Sequence, residues 1–274
     1  MLSLPRLVLA TYRALAPIYY SVDLASKMYL YNDCMRIEEQ LNELASSIVN
    51  SSPIFVSFSF AAEAAEIAAF GKRHYNRELE TQKLIIRDYL DGTQGLVACT
   101  DYPQSEACDI AVKAVVDRIK LLHEKWHGVL SQSTLWQALG SLLTTVCGKV
   151  INDIEDLSDT TALESEKLAR LMGDIADLEA LFMPSSKGAG RHAVPCTAMY
   201  CDNWLKFRYL ESILECNMAE LLDMYNRGQL VEFDKEELVD LVRALFSDTE
   251  HRRKCLEAIR RGPMRASGDD DLVH

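Results

Sequence analysis

The amino-acid sequence predicts an all-α protein made of two consecutive helical bundles. Along most of its 274 residues, apolar side chains recur at intervals of three and four positions, which is the period of a helix that buries one face. Hydrophobic residues make up 49% of the chain, enough to form a globular core. Residues 52–60 alternate apolar and polar side chains as a strand does, and we interpret them as the approach to an alanine-rich helix at residues 61–70.

Four series of mainly apolar residues at helical spacing each predict an amphipathic helix. In chain order they are Cys34, Ile37, Leu41, Leu44 and Ile48; Leu135, Leu139, Leu142, Val146, Val150, Ile154 and Leu157; Leu168, Leu171, Ile175, Leu178 and Phe182; and Phe207, Leu210, Leu214, Asn217 and Leu221. Side chains at this spacing share one face, so each helix is expected to pack on its neighbours through that face. Three later residues are expected in the core, packed against the helix of the fourth series: Leu241, Leu245 and Phe246.

Two sequence signals predict where helices begin. Thr161 and Glu164 form a T-x-x-E capping box, in which each side chain bonds the backbone N–H of the other residue. Asp234 is a suitable N-cap for the helix that contains Leu241. Both signals place helix starts just before apolar stretches of the second bundle.

Breaks in the helical pattern divide the chain into two bundles and a tail. We expect the first helical bundle at residues 1–98, the second at residues 99–262 and a disordered tail at residues 263–274. The loop at residues 184–203 is long enough to be functional or simply mobile.

The charge of the chain argues against nucleic acid as a partner. The 29 Lys and Arg residues and 41 Asp and Glu residues give a net charge of −12, whereas phosphate contacts need clustered positive charge. Two uncharged runs have the length of a membrane span, at residues 44–62 and 128–148. The first contains Pro53 and several Ser, and the second forms an amphipathic stripe, so we expect no transmembrane segment.

The cysteines and the common catalytic motifs point away from an enzyme. The eight cysteines form no C-x-x-C pair, as expected for buried, reduced thiols of a cytosolic protein. Cys196 and Cys201 lack the paired spacing of a metal site. The sequence also contains no G-x-S-x-G elbow and no glycine-rich phosphate loop. We therefore expect no enzymatic activity and no cofactor.

One motif suggests a different function, a zinc-dependent hydrolase. His123, Glu124 and His127 match His-Glu-x-x-His, in which two His one helical turn apart bind zinc and the Glu acts as general base. A third ligand is not evident, because the downstream Glu155 and Glu164 belong to no ligand motif. The alternative is that the two His flank the buried stripe of an ordinary helix.

Two features are candidates for partner binding. Trp204 begins a helix beside the long loop, either as a core residue or as an anchor for a partner. Arg252, Arg253 and Lys254 form a basic stretch in an acidic chain, in the first turn of a helix, where the helix dipole favours anions. They are therefore a candidate contact for an acidic partner or anionic lipid, or else an ordinary solvated helix face.

Several segments together resemble the C-terminal part of the zeste-white-ten family, centromere/kinetochore proteins related to the Dsl-one vesicle tethers. They are "YLYNDCMRIEEQLNEL" (29–44), residues 111–159, "NWLKFRYLESILECNMAELLDMYNRGQL" and "ELVDLVRALFSDTEHRR", with the last two the most specific. The resemblance covers nearly the whole chain and is strongest from Ala107 to Arg261.

The resemblance implies an elongated, rod-like arrangement of helical bundles and a non-enzymatic scaffold role. Family members act in Golgi-to-endoplasmic-reticulum vesicle tethering, which is our leading hypothesis, and in kinetochore complexes with Rod and Zwilch, which is the alternative. The implied partner is a large helical-solenoid subunit of the Sec-thirty-nine/NAG or Rod type, with endoplasmic-reticulum SNAREs as indirect partners. The implied location is the cytoplasm, peripheral to the endoplasmic reticulum membrane through partners, and the kinetochore in mitosis.

Overall fold

The computed structural model describes residues 3–51, 59–184 and 194–262, and these ranges are all-α, which confirms the predicted fold class. No β-strand occurs within these ranges. The helices are α1 (Ser3–Tyr19), α2 (Leu24–Ser51), α3 (Ala61–Asp91), α4 (Gln104–Trp126), α5 (Gln132–Glu155), α6 (Ala162–Ala176), α7 (Thr197–Tyr200), α8 (Trp204–Glu215), α9 (Met218–Asn226), α10 (Lys235–Leu245) and α11 (Glu250–Arg261). Two 3-10 helices lie at Gln94–Leu96 and Asp177–Phe182.

Contacts group the chain into two units, each drawn from separate stretches of sequence. Unit 1 comprises Met1–Ile85 and Arg118–Leu142, and unit 2 comprises Ile86–Asp117 and Leu143–His274. Helices α3, α4 and α5 each contribute residues to both units. The boundary between two helical bundles after residue 98 stays a prediction. The predicted tail, and nine residues of the predicted loop (185–193), lie outside the described ranges.

One apolar cluster in the core of unit 1 forms where α1, α2 and α3 pack together. Ala16, Leu30, Cys34 and Ile67 are its buried members. α2 and α3 approach each other closely at Gly71, where an added Cβ would lie 2.5 Å from the Cβ of Cys34. Glycine at this position therefore permits the two helix backbones to approach.

A buried polar chain of hydrogen bonds also crosses unit 1. Glu78 accepts from Lys27 Nζ at 2.7 Å and from Gln82 Nε2 at 2.6 Å. The Gln82 Oε1 atom in turn accepts from Arg118 Nε at 2.8 Å. Glu78 and Gln82 are 4% and 1% exposed, and these bonds satisfy polar groups whose burial would otherwise be costly.

In unit 2, α6 packs against α8, and the predicted periodicity is confirmed there. Every member of the third series is buried: Leu168, Leu171, Ile175, Leu178 and Phe182. The predicted capping box at the start of α6 is present, with Glu164 N donating to Thr161 Oγ1 and Thr161 N donating to Glu164 Oε2. Asp234 precedes α10, where its N–H donates to Glu237 Oε2 at 2.9 Å.

Two expectations about helical faces are wrong in part. In the first series Cys34 is buried and Leu41 packs against the same core cluster, whereas Leu44 is 49% exposed. The fourth series spans two helices. Asn217 accepts from the N–H groups of Ala219 and Glu220 and so caps α9, which ends the preceding helix at Glu215.

The expected core position of Leu245 and Phe246 is also corrected. Leu241 is buried, as predicted, but Leu245 and Phe246 are half-buried and line an open groove with Leu214. Leu245 is the last residue of α10, and Phe246 lies just beyond the helix as its C-cap. Among the described helices, none has the length and apolar character needed to cross a membrane.

Substitution of Ala for two helical glycines should change stability in opposite directions, because one glycine lies at a close helix contact and the other has room for a methyl group. Gly71→Ala should lower the free energy of unfolding by about 1–3 kcal/mol, because the methyl group overpacks the contact with Cys34. Gly173→Ala in α6 has room, with Glu211 Oε1 3.5 Å from the added Cβ, and should raise the free energy by up to about 1 kcal/mol through helix propensity. Urea titrations of both variants measure these changes. If Gly71→Ala left the free energy of unfolding unchanged, the close contact between α2 and α3 would be contradicted.

Candidate partner-binding site

Trp204 lies in the core at the start of α8. Its side chain is 2% exposed, and its indole Nε1 donates to Glu179 Oε1 at 3.1 Å. Its ring stacks on Phe207 with centroids 5.8 Å apart. These contacts join α8 to the 3-10 helix that follows α6, so a partner does not reach the indole directly in this conformation. A contribution of Trp204 to binding stays a prediction, and it would act through the helix it positions.

Carboxylates gather beside this contact. Glu211 accepts from Arg208 Nη1 at 2.6 Å. Even so, burial raises the pKa of Glu211 above its usual value, and the negative charges of Glu215, Asp177 and Glu179 raise that pKa further. The ionised form of Glu211 is therefore less favourable in the folded chain than in water.

Lys206 connects three helices of unit 2. Its Nζ lies 2.8 Å from Glu155 on α5 and 3.1 Å from Glu237 on α10. It also lies 5.2 Å from the ring centroid of Phe233, as in a cation–π contact. Burial lowers the pKa of Lys206, but the bonds to the two carboxylates outweigh burial and raise it overall. The sequence does not point to this cluster, because its three charged residues lie far apart in the chain and no local pattern joins them.

The predicted basic stretch divides into one structural residue and two exposed residues. Arg252 Nη1 donates to the carbonyl oxygens of Phe246 at 2.6 Å and Arg243 at 3.2 Å, and its side chain is 18% exposed. These carbonyls end α10 and have no partner within that helix. Arg252 therefore caps α10.

Arg253 and Lys254 are exposed but paired. Arg253 binds both carboxylate oxygens of Asp248, at 3.3 and 3.2 Å, and Lys254 Nζ lies 2.9 Å from Glu250. Hydrogen bonds from Arg253 and Arg252 hold the pKa of Asp248 below its usual value. The local positive potential is thus weaker than the sequence predicts, because two carboxylates lie against the three cations.

The His-Glu-x-x-His residues do not assemble a metal centre within the described part of the chain. His123 lies in the last turn of α4, which ends at Trp126, so His127 follows the helix. The two imidazole centroids are 5.5 Å apart. Among described residues, no group of three or more His, Cys, Asp or Glu side chains is arranged to hold a metal ion.

All eight cysteines are free thiols, and the fold brings two that are distant in sequence close together. Cys201 is brought beside Cys147 of α5, and a hydrogen bond from Cys147 lowers the pKa of Cys201. Cys196, considered with Cys201 as a metal ligand, is half-buried.

Capped amphipathic helices around an apolar core define a helical-bundle protein. Residues 110–259 match a family model described as "ZW10 C-terminal helical domain". The match covers more than half of the chain, and the chain belongs to the ZW10 family. The resemblance found in the sequence is thereby confirmed.

Proteins of animals and plants are similar over most of this chain. The "Centromere/kinetochore protein zw10 homolog" of Rattus norvegicus is 25% identical over 238 residues, which cover 84% of this chain and 31% of that protein. The Arabidopsis thaliana homolog is 24% identical over 255 residues, 89% of this chain and 34% of its own length. The "Centromere/kinetochore protein zw10" of Drosophila melanogaster is 21% identical over 236 residues, 84% and 29% respectively. The chain spans about a third of the length of these curated relatives.

The two neighbouring arginines of α11 should differ in their effect on stability. Arg252→Ala should lower the free energy of unfolding by roughly 1–3 kcal/mol, because the carbonyls at the end of α10 lose a charged donor. Arg253→Ala is the matched control and should change stability little, because its ion pair is exposed. Equal effects in denaturant titrations would contradict the capping role.

The raised pKa of Glu211 predicts a pH-dependent effect of Glu211→Gln. A carboxyl with a raised folded pKa stabilises the fold below its unfolded pKa, and this contribution is lost as the pH rises through the folded value. The Gln variant should therefore gain stability relative to the wild type between about pH 4 and pH 7. Urea titrations at both pH values measure this, and the exposed Glu232→Gln reports the general effect of removing one negative charge. The prediction would be contradicted if the free energy of unfolding of the wild type rose relative to that of the Gln variant as the pH rises.

Proposed function

We propose that this chain is a non-enzymatic scaffold subunit that binds other proteins within a multisubunit complex. The observation that carries the proposal is the match of residues 110–259 to the ZW10 C-terminal helical domain. Several relatives over most of the chain are called centromere/kinetochore proteins, which supports a role in assembly. The geometry is consistent with this, since the described residues form packed helices whose surfaces are available to other helices.

The names of the relatives favour a kinetochore complex as the setting. For this chain, the kinetochore form of the proposal has a Rod-type solenoid subunit and a Zwilch-type subunit as partners. The solenoid subunit would contact helices of unit 2, because residues 143–262 hold most of the family-matched segment.

Golgi-to-endoplasmic-reticulum tethering, the leading hypothesis from the sequence, rests on the family resemblance alone. Its partners would be a Sec-thirty-nine/NAG-type solenoid subunit and, indirectly, SNAREs of the endoplasmic reticulum. The chain would then associate with that membrane through its partners. Both settings require the same physical property, a helical surface that binds a large helical subunit.

Reconstitution with purified subunits tests the proposal and separates the two settings. The full chain is mixed in turn with the Rod-type and the Sec-thirty-nine/NAG-type subunit from the same organism, and complex formation is followed by size-exclusion chromatography with light scattering. A stoichiometric complex with either subunit is the expected result, and the subunit that binds more tightly identifies the setting. Failure to bind both subunits would overturn the scaffold proposal.

The same assay tests the basic stretch in a form that preserves the fold. Arg253→Glu with Lys254→Glu leaves the cap formed by Arg252 in place, and the exposed pair Lys113→Glu with Lys120→Glu introduces the same charge change on α4. If Arg253 and Lys254 contact an acidic partner surface, the first pair should weaken the complex at low salt more than the second pair does. If both charge-reversed variants bound the partner with equal affinity, Arg253 and Lys254 would belong to a solvated helix end.

A further inference from the structure

An open groove in unit 2 lies where the ends of three helices meet. The start of α6, the end of α8 and the end of α10 surround it, and its volume is about 490 Å³. This volume falls within the range of ligand-sized pockets, roughly 300–1,000 Å³. A backbone hydrogen bond from Thr160 N to Ala244 O, 2.9 Å long, joins the segment before α6 to α10 beside the groove. All three helices lie inside the segment that matches the family domain.

The floor of the groove is apolar. Ile213 and Leu214 are buried beneath it, and Leu245 and Phe246 are half-buried at its side. These side chains retain apolar surface that a further side chain can cover. A large aliphatic or aromatic group that enters the groove would remove that surface from water, which is favourable in proportion to the area buried.

The rim of the groove is acidic. Glu166 on α6 and Glu215 on α8 are both exposed, and the described residues that line the groove include no Lys, Arg or His. Glu215 stands in the last turn of α8, where the helix dipole favours a cation, and this helix, described over its full length, has no basic residue in that turn. A cation supplied from outside would therefore relieve an unfavourable charge placement.

The acidic rim also selects among classes of partner. Anionic phospholipid and nucleic acid would meet two like charges at the mouth of the groove, which disfavours both. A protein segment that places a large apolar side chain next to Lys or Arg satisfies the floor and the rim together.

We propose that the groove between the ends of α6, α8 and α10 binds a basic, amphipathic protein segment. Its apolar side chain packs over Leu214, Leu245 and Phe246, and its flanking Lys or Arg side chains pair with Glu166 and Glu215. The inference rests on the proposed scaffold function and names the chemistry of one partner contact.

Fluorescence anisotropy of a designed peptide tests the groove without any partner subunit. The probe is a labelled helical peptide with Leu and Phe at helical spacing and Lys between them. Two matched peptides carry Glu in place of Lys, or Ser in place of Leu and Phe. At about 0.15 M salt, the full chain should bind the Lys peptide and should bind both matched peptides at least about tenfold more weakly.

Variants of the chain locate the binding. Glu166→Arg with Glu215→Arg should weaken binding at least about tenfold, whereas Glu232→Arg with Glu236→Arg, exposed acids away from the groove, should weaken it less than about threefold. Ala162→Phe fills the groove from an exposed lining position and leaves the charges unchanged, so it should also weaken binding. Circular dichroism confirms that each variant keeps the helical content of the wild type.

Several outcomes would overturn the proposal. They are the absence of binding by the wild type up to about 1 mM peptide, equal binding of the Ser peptide, and equal losses for the groove and control charge reversals. Self-association of the wild type that Glu166→Arg with Glu215→Arg abolishes would make a second copy the occupant instead. Because the assay contains no partner subunit, a negative result leaves the scaffold proposal standing, and failure of reconstitution leaves the groove result standing.

Discussion

The backbone groups at helix ends constrain the whole C-terminal part of unit 2, where α8, α9, α10 and α11 follow one another within residues 204–261. Each end leaves N–H or C=O groups that no bond within the helix satisfies. Asn217 and Thr249 satisfy N–H groups at the starts of α9 and α11, and Arg252 satisfies carbonyls at the end of α10. Short helices bury little apolar surface each, so these polar contacts determine where each helix stops and how the next begins.

This constraint explains how an acidic protein uses its few cations. Lys206 joins α5, α8 and α10 through two carboxylates, and Arg252 is committed to backbone carbonyls. Cations that look available in the sequence are thus largely engaged within the fold. The end of α8 differs, because it carries Glu215 where a cation would be favourable. In the proposed groove contact, a partner would supply that cation.

The sequence predicts helices well because the apolar period depends only on neighbouring residues. It predicted the buried face of α6 and the capping box at Thr161, both of which are local patterns. It failed where tertiary contacts decide the outcome. Spacing placed Leu44 on an apolar face without showing that Leu44 itself stays exposed, and three consecutive basic residues gave no sign that Arg252 would turn back onto α10. The cluster at Lys206 joins charges distant in sequence, so no local signal could have found it.

The proposed scaffold role requires a different kind of site from an active site, one that short sequence motifs do not describe. Catalysis needs reactive groups at fixed distances, whereas a binding surface needs apolar area, shape and unbalanced charge, which single residues do not encode. The described part of unit 2 combines these properties at the junction of α6, α8 and α10, where Leu245 and Phe246 leave the core that the helical period assigns to them. The failed core prediction and the candidate groove therefore have one cause. α10 ends at Leu245, and at this end Leu245 and Phe246 are only half-buried and keep apolar surface that a partner can bury.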